Sequence, residues 1–178
     1  MKIIKKVFIA IGALFALAVL VSLLLPSTYR VERSTLINAP ANAVFQRVAD
    51  FQQWKSWNVW ENAGSTAASS NPSSGINAWH EWKNGPQGAA KATSTYEEGG
   101  NAFFYRLLFQ DHGVLAIGSF KVQPEGDGTR IAWTIADKVG INPVKRWFAL
   151  TYSLKAGNEL EGGLANLKKV CEGAGRIN

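Results

Sequence analysis

At 178 residues, 47% apolar and 18% charged, the chain has the composition of a folded domain, not of a disordered or fibrous segment. Its +6 charge is no nucleic-acid footprint: with Lys2, Lys5 and Lys6 set aside, 16 Lys and Arg face 13 Asp and Glu, a balance of +3 without any basic cluster. The lone Cys171 excludes an intramolecular disulfide, and only two histidines, His80 and His112, argue against a zinc site, so no metal and no cofactor are expected.

Residues 7–25 form an uncharged, almost wholly apolar run after the three lysines, closed by Pro26. Nineteen helical residues at ~1.5 Å each cover roughly the ~30 Å of a bilayer's hydrocarbon core. A cleaved signal peptide shares the basic start, but its apolar stretch is only ~7 to 15 residues long and ends in small residues, whereas this one runs into Leu23, Leu24, Leu25 and Pro26. Retention as an anchor is therefore expected, with residues 1–26 as the membrane segment and 27–178 as one domain. The lysines before the span outnumber Arg30 and Arg33 after it. The positive-inside rule then predicts a single pass through the cytoplasmic (inner) membrane with the domain on the extracytoplasmic, periplasmic side. Only Pro26 and Ser27 separate span from domain, so the linker has almost no reach.

Residues 29–37 alternate as a strand does. Pro40 suits a helix start, and Val44, Phe45 and Val48 at helical spacing predict a short helix over 41–49. Asp50 can cap a second one over 51–57, with Gln53 at the capping-box position. By composition the Ser-, Ala- and Gly-rich stretch 62–75 is a loop. Strands are predicted over 76–82, 90–97, 102–110, 114–123 and 129–136, the last two joined by a hairpin turn at Glu125-Gly126-Asp127-Gly128. After Pro143 the period becomes helical: Trp147, Leu150, Thr151 and Leu154, then Leu160, Leu164, Leu167 and Val170, predict an amphipathic C-terminal helix weakened by Gly157, Gly162 and Gly163. Cys171 reads as a semi-buried helix residue. The order is that of an α+β fold whose curved antiparallel sheet wraps the last helix.

The segments VERSTLINAPANAVFQRVADFQQWKSWNVW (31–60), NPSSGINAWHEWKN (71–84), VQPEGDGTRIAWTI (122–135) and FALTYSLKAGNELEGGLANLKKV (148–170) resemble the SRPBCC superfamily. That superfamily includes START-like lipid-binding domains and the polyketide cyclase/dehydrase group, and the resemblance extends to its membrane-anchored bacterial members. It implies a helix-grip fold, a hydrophobic ligand between sheet and helix, and a further strand near 65–70 where composition alone reads a loop.

Titratable candidates for chemistry are His80 and Glu81 on the strand NAWHEW, Tyr105 beside Arg106, Glu32 on the first strand, and His112 in a turn. Strand parity places His80 with Trp82 and Glu81 with Trp79 on opposite faces and leaves open which face is inside. No Ser-His-Asp order, nucleophile elbow, phosphate loop or metal motif is visible. The aromatic residues say more. Collectively Trp57, Trp79, Trp82, Phe103, Tyr105, Leu107, Ile131, Trp133, Phe148 and Tyr152 are the expected walls of an apolar pocket, although for any one of them a filled core is the simpler reading. Three functions fit: a membrane-tethered binder of a lipid or of an aromatic or isoprenoid metabolite, a cyclase or dehydratase using His80, Glu81 or Tyr105, or an envelope interaction domain with its cavity filled by side chains.

Overall fold

The computed structural model describes residues 2–61, 65–85, 88–111 and 113–174, so His112 lies outside the described residues. Helix α1 (Lys2–Leu24) carries the apolar run, with Phe8, Leu14, Phe15 and Leu20 all exposed. Residues 3–24 are long and apolar enough to cross a membrane, with a mean hydropathy of 2.9, and by the same test suit a signal sequence.

The rest forms one antiparallel sheet and two helices. The strands are β1 (Thr28–Ile37), β2 (Thr66–Ser69), β3 (Trp79–Gly85), β4 (Gly88–Glu98), β5 (Ala102–Phe109), β6 (Val114–Glu125) and β7 (Gly128–Lys138), in the order β1-β7-β6-β5-β4-β3-β2. Successive strands from β2 to β7 pair as a meander, and β1 closes the other edge against β7, with Val31 opposite Ile135 and Ile37 opposite Thr129. Between Glu125 and Gly128 the turn has two residues, and Gly126 supplies the positive φ of 59° it needs.

Helix α2 (Ala41–Ala49) and a 3₁₀ helix (Phe51–Ser56) follow β1. Pro40 is the residue before α2 and not its first. Asp50 does cap the 3₁₀ helix, accepting from the Gln52 amide, but Gln53 does not complete a capping box; its side chain accepts from Arg47 at 2.6 Å. Helix α3 (Pro143–Ala174) lies along β1 over the inner face of the sheet in one continuous run. Its glycines do not break it. They sit where the sheet comes close: a Cβ on Gly157 would meet the Arg33 guanidinium at 2.6 Å, and one on Gly163 the Trp133 ring at 2.7 Å. The fold is a helix-grip α+β domain behind an apolar N-terminal helix.

Three expectations change. The stretch read as a loop contains β2, as the family resemblance implied. The strand expected from 76 starts at Trp79, because Asn77 adopts a φ of 66° and leaves Ile76 exposed. In α3 the core-facing residues are Ala149, Tyr152, Ala156, Leu160, Leu164 and Leu167, with Cys171 buried after them, whereas Leu154 is 73% and Trp147 40% exposed. The face predicted for the first half of that helix is the outer one, since Trp147 and Leu154 follow a helical period of their own on the side opposite Tyr152.

Candidate functional site

His80 is wholly buried on the inner face of β3, with Glu81 on the outer face bonded to Gln110 at 2.8 Å. Both imidazole nitrogens are engaged. Nε2 lies 2.5 Å from Glu61 Oε1, and Nδ1 lies 2.7 Å from the hydroxyl of Ser69, its cross-strand neighbour on β2. The same Glu61 oxygen accepts from Trp82 Nε1 at 2.9 Å. An indole N–H only donates, so this oxygen accepts from Trp82; with Glu61 as the carboxylate, His80 Nε2 donates to it, and in the neutral ring Nδ1 then accepts from Ser69. Phe51 stacks on the imidazole at 6.1 Å, and Trp82 meets it edge-on at 4.5 Å. A carboxylate, an imidazole and a half-buried hydroxyl thus form a three-part hydrogen-bonded relay against an aromatic wall.

Beside it the aromatic residues pack against one another. Trp57 touches Phe120 and Trp133, Trp133 stacks on Phe120 at 4.9 Å, and Phe103, Tyr105 and Phe120 run parallel across β5 and β6. Trp133 Nε1 donates to the Tyr105 hydroxyl at 2.8 Å, and burial pushes that phenol above its ordinary range, the Trp133 donation acting the other way. Leu107, Ile131 and Trp82 complete this buried layer. Open clefts lie elsewhere: one of about 710 Å³ between α2 and the end of β4, lined by Phe45, Arg47, Gln53 and Glu97, and one of about 410 Å³ on the outer face, lined by Lys91, Arg106 and Leu108.

A second buried group differs from the rest. The Tyr152 hydroxyl, on a side chain 1% exposed, has no hydrogen-bond partner among the described residues, and neither has the buried hydroxyl of Tyr29. Around Tyr152 stand Phe109 at 4.9 Å, the half-buried Phe148 in parallel at 6.0 Å and Tyr29 edge-on at 6.1 Å. Burial, and after it the charge of Glu159, raises the Tyr152 phenol well above its ordinary range; burial and then Asp137 do the same for Tyr29. An unsatisfied buried hydroxyl costs about 1–3 kcal/mol.

Of the ten predicted wall residues, nine therefore face the space between sheet and α3, eight fully buried and Phe148 partly. Trp79 does not: it lies on the outer face, under the Lys91 ammonium 4.4 Å from its ring. Among the weak catalytic candidates, Arg106 and Glu81 point outward, and Glu32 is an exposed partner of Arg30 and Thr134. Sequence reasoning missed Glu61 and Ser69. Only the family strand near 65–70 pointed that way, since pairing it with β3 brings a serine-rich segment beside His80; the nine-residue connection 70–78 does not fix the register that puts Ser69 opposite it. Among the described residues no cluster of three His, Cys, Asp or Glu side chains is arranged to hold a metal ion.

The comparisons agree with this architecture. Solved structures with the same fold include the Aha1 dimer from Colwellia psychrerythraea (12% identity, TM-score 0.61, 81% of this chain and 96% of that one) and protein CV1439 from Chromobacterium violaceum (17%, 0.58, 83% and 98%). Protein SA2116 of unknown function from Staphylococcus aureus is another (9%, 0.63, 84% and 96%). No curated protein sequence matches. The model of the polyketide cyclase / dehydrase and lipid transport family matches residues 28–172, the whole span from β1 to the last turn of α3, and the chain belongs to that family.

Proposed function

We propose that the chain is a membrane-tethered binding domain that holds a hydrophobic small molecule, a lipid or an aromatic or isoprenoid metabolite, between the sheet and α3. One observation carries this reading: a buried tyrosine hydroxyl, Tyr152, left unpartnered among Phe109, Phe148 and Tyr29. Apolar walls with a few placed polar groups are what such a ligand needs. A ligand oxygen or nitrogen bonded to Tyr152 would satisfy the hydroxyl, and Phe148, on the first turns of α3 and only half buried, is the wall residue nearest solvent.

The experiment is native mass spectrometry of the full-length protein extracted from its own membrane, with Tyr152→Phe beside it. A hydrophobic molecule retained by the wild type and lost from Tyr152→Phe is the expected result. Equal, empty spectra from both would leave the interior as a filled core and favour the interaction domain instead.

The Glu61-His80-Ser69 relay favours a second reading, an enzyme of the cyclase or dehydratase type in which His80 moves a proton through Ser69. In that case His80→Gln abolishes turnover of a polyketide-like substrate while the domain keeps its ligand.

A further inference from the structure

We infer that the anchor-proximal half of α3 is itself seated in the lipid bilayer, so that the domain rests on the membrane by a second, interfacial helix beside α1. This rests on the reading of α1 as a membrane span. Helix α3 is apolar on two opposite sides over its first three turns. The inner side carries Ala149, Tyr152 and Ala156 against the sheet; the outer side presents Val144 (77% exposed), Trp147 and Leu154, and the loop just before the helix adds Ile141 (81% exposed). An exposed apolar stripe opposite a buried one is what a helix lying in a membrane interface presents. Beyond Leu154 the outer side turns polar, through Lys155, Asn158, Glu161 and Lys169, all exposed. The change happens within one helix, at a defined point, and the apolar half is the half next to α1.

Contacts between the two helices fix the depth. Arg146 Nη1 donates to the carbonyls of Ser22, Leu23 and Leu25, and Trp147 Nε1 lies 3.4 Å from the carbonyl of Ala18. Ala18 is six residues before the end of α1, about 9 Å inside the span at ~1.5 Å per residue. If α1 crosses the bilayer, the Trp147 indole and its neighbours Val144 and Leu154 must lie near the boundary of headgroups and acyl chains. Interfacial helices sink about 5–10 Å there, with tryptophan favoured at that level. Lys155, exposed at the end of the stripe, is where anionic headgroups would meet it. On the other side of the domain the exposed apolar residues of the sheet, Leu108, Leu115 and Ile117, fall at the same end, since β6 starts where β7 ends beside Thr28.

The test uses full-length protein in vesicles of phosphatidylethanolamine and phosphatidylglycerol, spin-labelled at single cysteines in a Cys171→Ala background whose near-ultraviolet circular dichroism matches the wild type. Labels go on Val144→Cys and Leu154→Cys, on Asn158→Cys and Ala165→Cys as solvent references, and on Leu14→Cys inside α1. The expected result is that oxygen relaxes labels at 144 and 154 more than a water-soluble nickel chelate does, with the ratio reversed at 158 and 165. If Leu14 is in lipid while 144 and 154 meet the chelate as freely as 165, the seating is overturned and the anchor stands. If Leu14 also meets the chelate, the anchor reading fails and the seating with it. Dipolar broadening between labels at 144 on two molecules would place a second copy on the stripe and also overturn the proposal. A measurement on the native cysteine background checks the outcome: lipids brominated on the acyl chain quench wild-type tryptophan fluorescence, and Trp147→Phe removes the quenched component. No loss of quenching in Trp147→Phe would overturn the seating independently.

Discussion

Arg146 caps the carbonyl end of α1 at Ser22, with its guanidinium Nη1 3.0 Å from the Ser22 oxygen and within 3.1 Å of those of Leu23 and Leu25. A helix leaves its last carbonyls without partners, and here a buried arginine of the following domain supplies them, while its Nε bonds the Gly140 carbonyl at 2.6 Å. The short linker is thus reinforced by a clamp. Arg146→Leu removes the Nη1 contacts, in which two hydrogens are shared among three carbonyls, and the Nε bond to Gly140, and leaves the Leu23 and Leu25 oxygens without this donor, a loss of about 2–3 kcal/mol in the contact of α1 with the domain. Faster amide hydrogen exchange in the last turn of α1 and the first of α3, with unchanged exchange in β5 and β6, is the expected signature.

Glu61 serves two donors with one oxygen, His80 Nε2 and Trp82 Nε1. Glu61→Leu leaves both unsatisfied in a buried site and should lower stability to denaturant by about 2–6 kcal/mol, each orphan contributing about 1–3 kcal/mol. Glu61→Gln keeps an acceptor oxygen and should lose less than half as much. Urea unfolding followed by tryptophan fluorescence gives the two midpoints. Equal losses would mean that the charge, not the hydrogen-bond geometry, holds the relay.

Strand alternation and helical spacing placed most elements to within a few residues, because β1, β5, β6 and β7 each bury one clean face. The relay was illegible for a physical reason. Ser69 sits on a four-residue edge strand of small side chains whose stability comes from its partner β3, so local composition looks like a loop. Glu61 follows an irregular turn, where no period exists to read. For Trp147 and Leu154 the sequence did carry a helical stripe, but periodicity alone does not distinguish a stripe facing the core from one facing away from it, and only the sheet's position on the Tyr152 side decides it.

High pH should unfold the domain through its tyrosines. Tyr29, Tyr105 and Tyr152 all hold their protons more tightly folded than unfolded, chiefly through burial. The native state then binds more protons than the unfolded one above the ordinary phenol value of about 10, so stability is unaffected below that pH and falls as pH rises beyond it toward the raised native values. Phenolate absorbance from these three should appear together with loss of the near-ultraviolet circular dichroism of the packed tryptophans. Tyr152→Phe should retain more of its stability at alkaline pH than the wild type.

Two glycines offer a graded test of how tightly the aromatic layer is packed. A Cβ on Gly118 of β6 would stand 2.0 Å from Cζ of Tyr105, a ring buried between Phe103, Phe120 and Trp133 that has no free direction to move. A Cβ on Gly163 of α3 would stand 2.7 Å from the edge of Trp133, and a small shift of the helix relieves that contact. Overpacking costs typically about 1–3 kcal/mol and sometimes more, while alanine gains about 1 kcal/mol over glycine in a helix and little in a strand. Gly118→Ala should therefore destabilise by about 3 kcal/mol or more, and Gly163→Ala by about 0–2 kcal/mol after the helix gain is subtracted. Thermal unfolding of both variants checks the order. If Gly118→Ala melts with the wild type, Tyr105 has room to swing aside, and the interior that would hold a ligand is looser than its ring contacts imply.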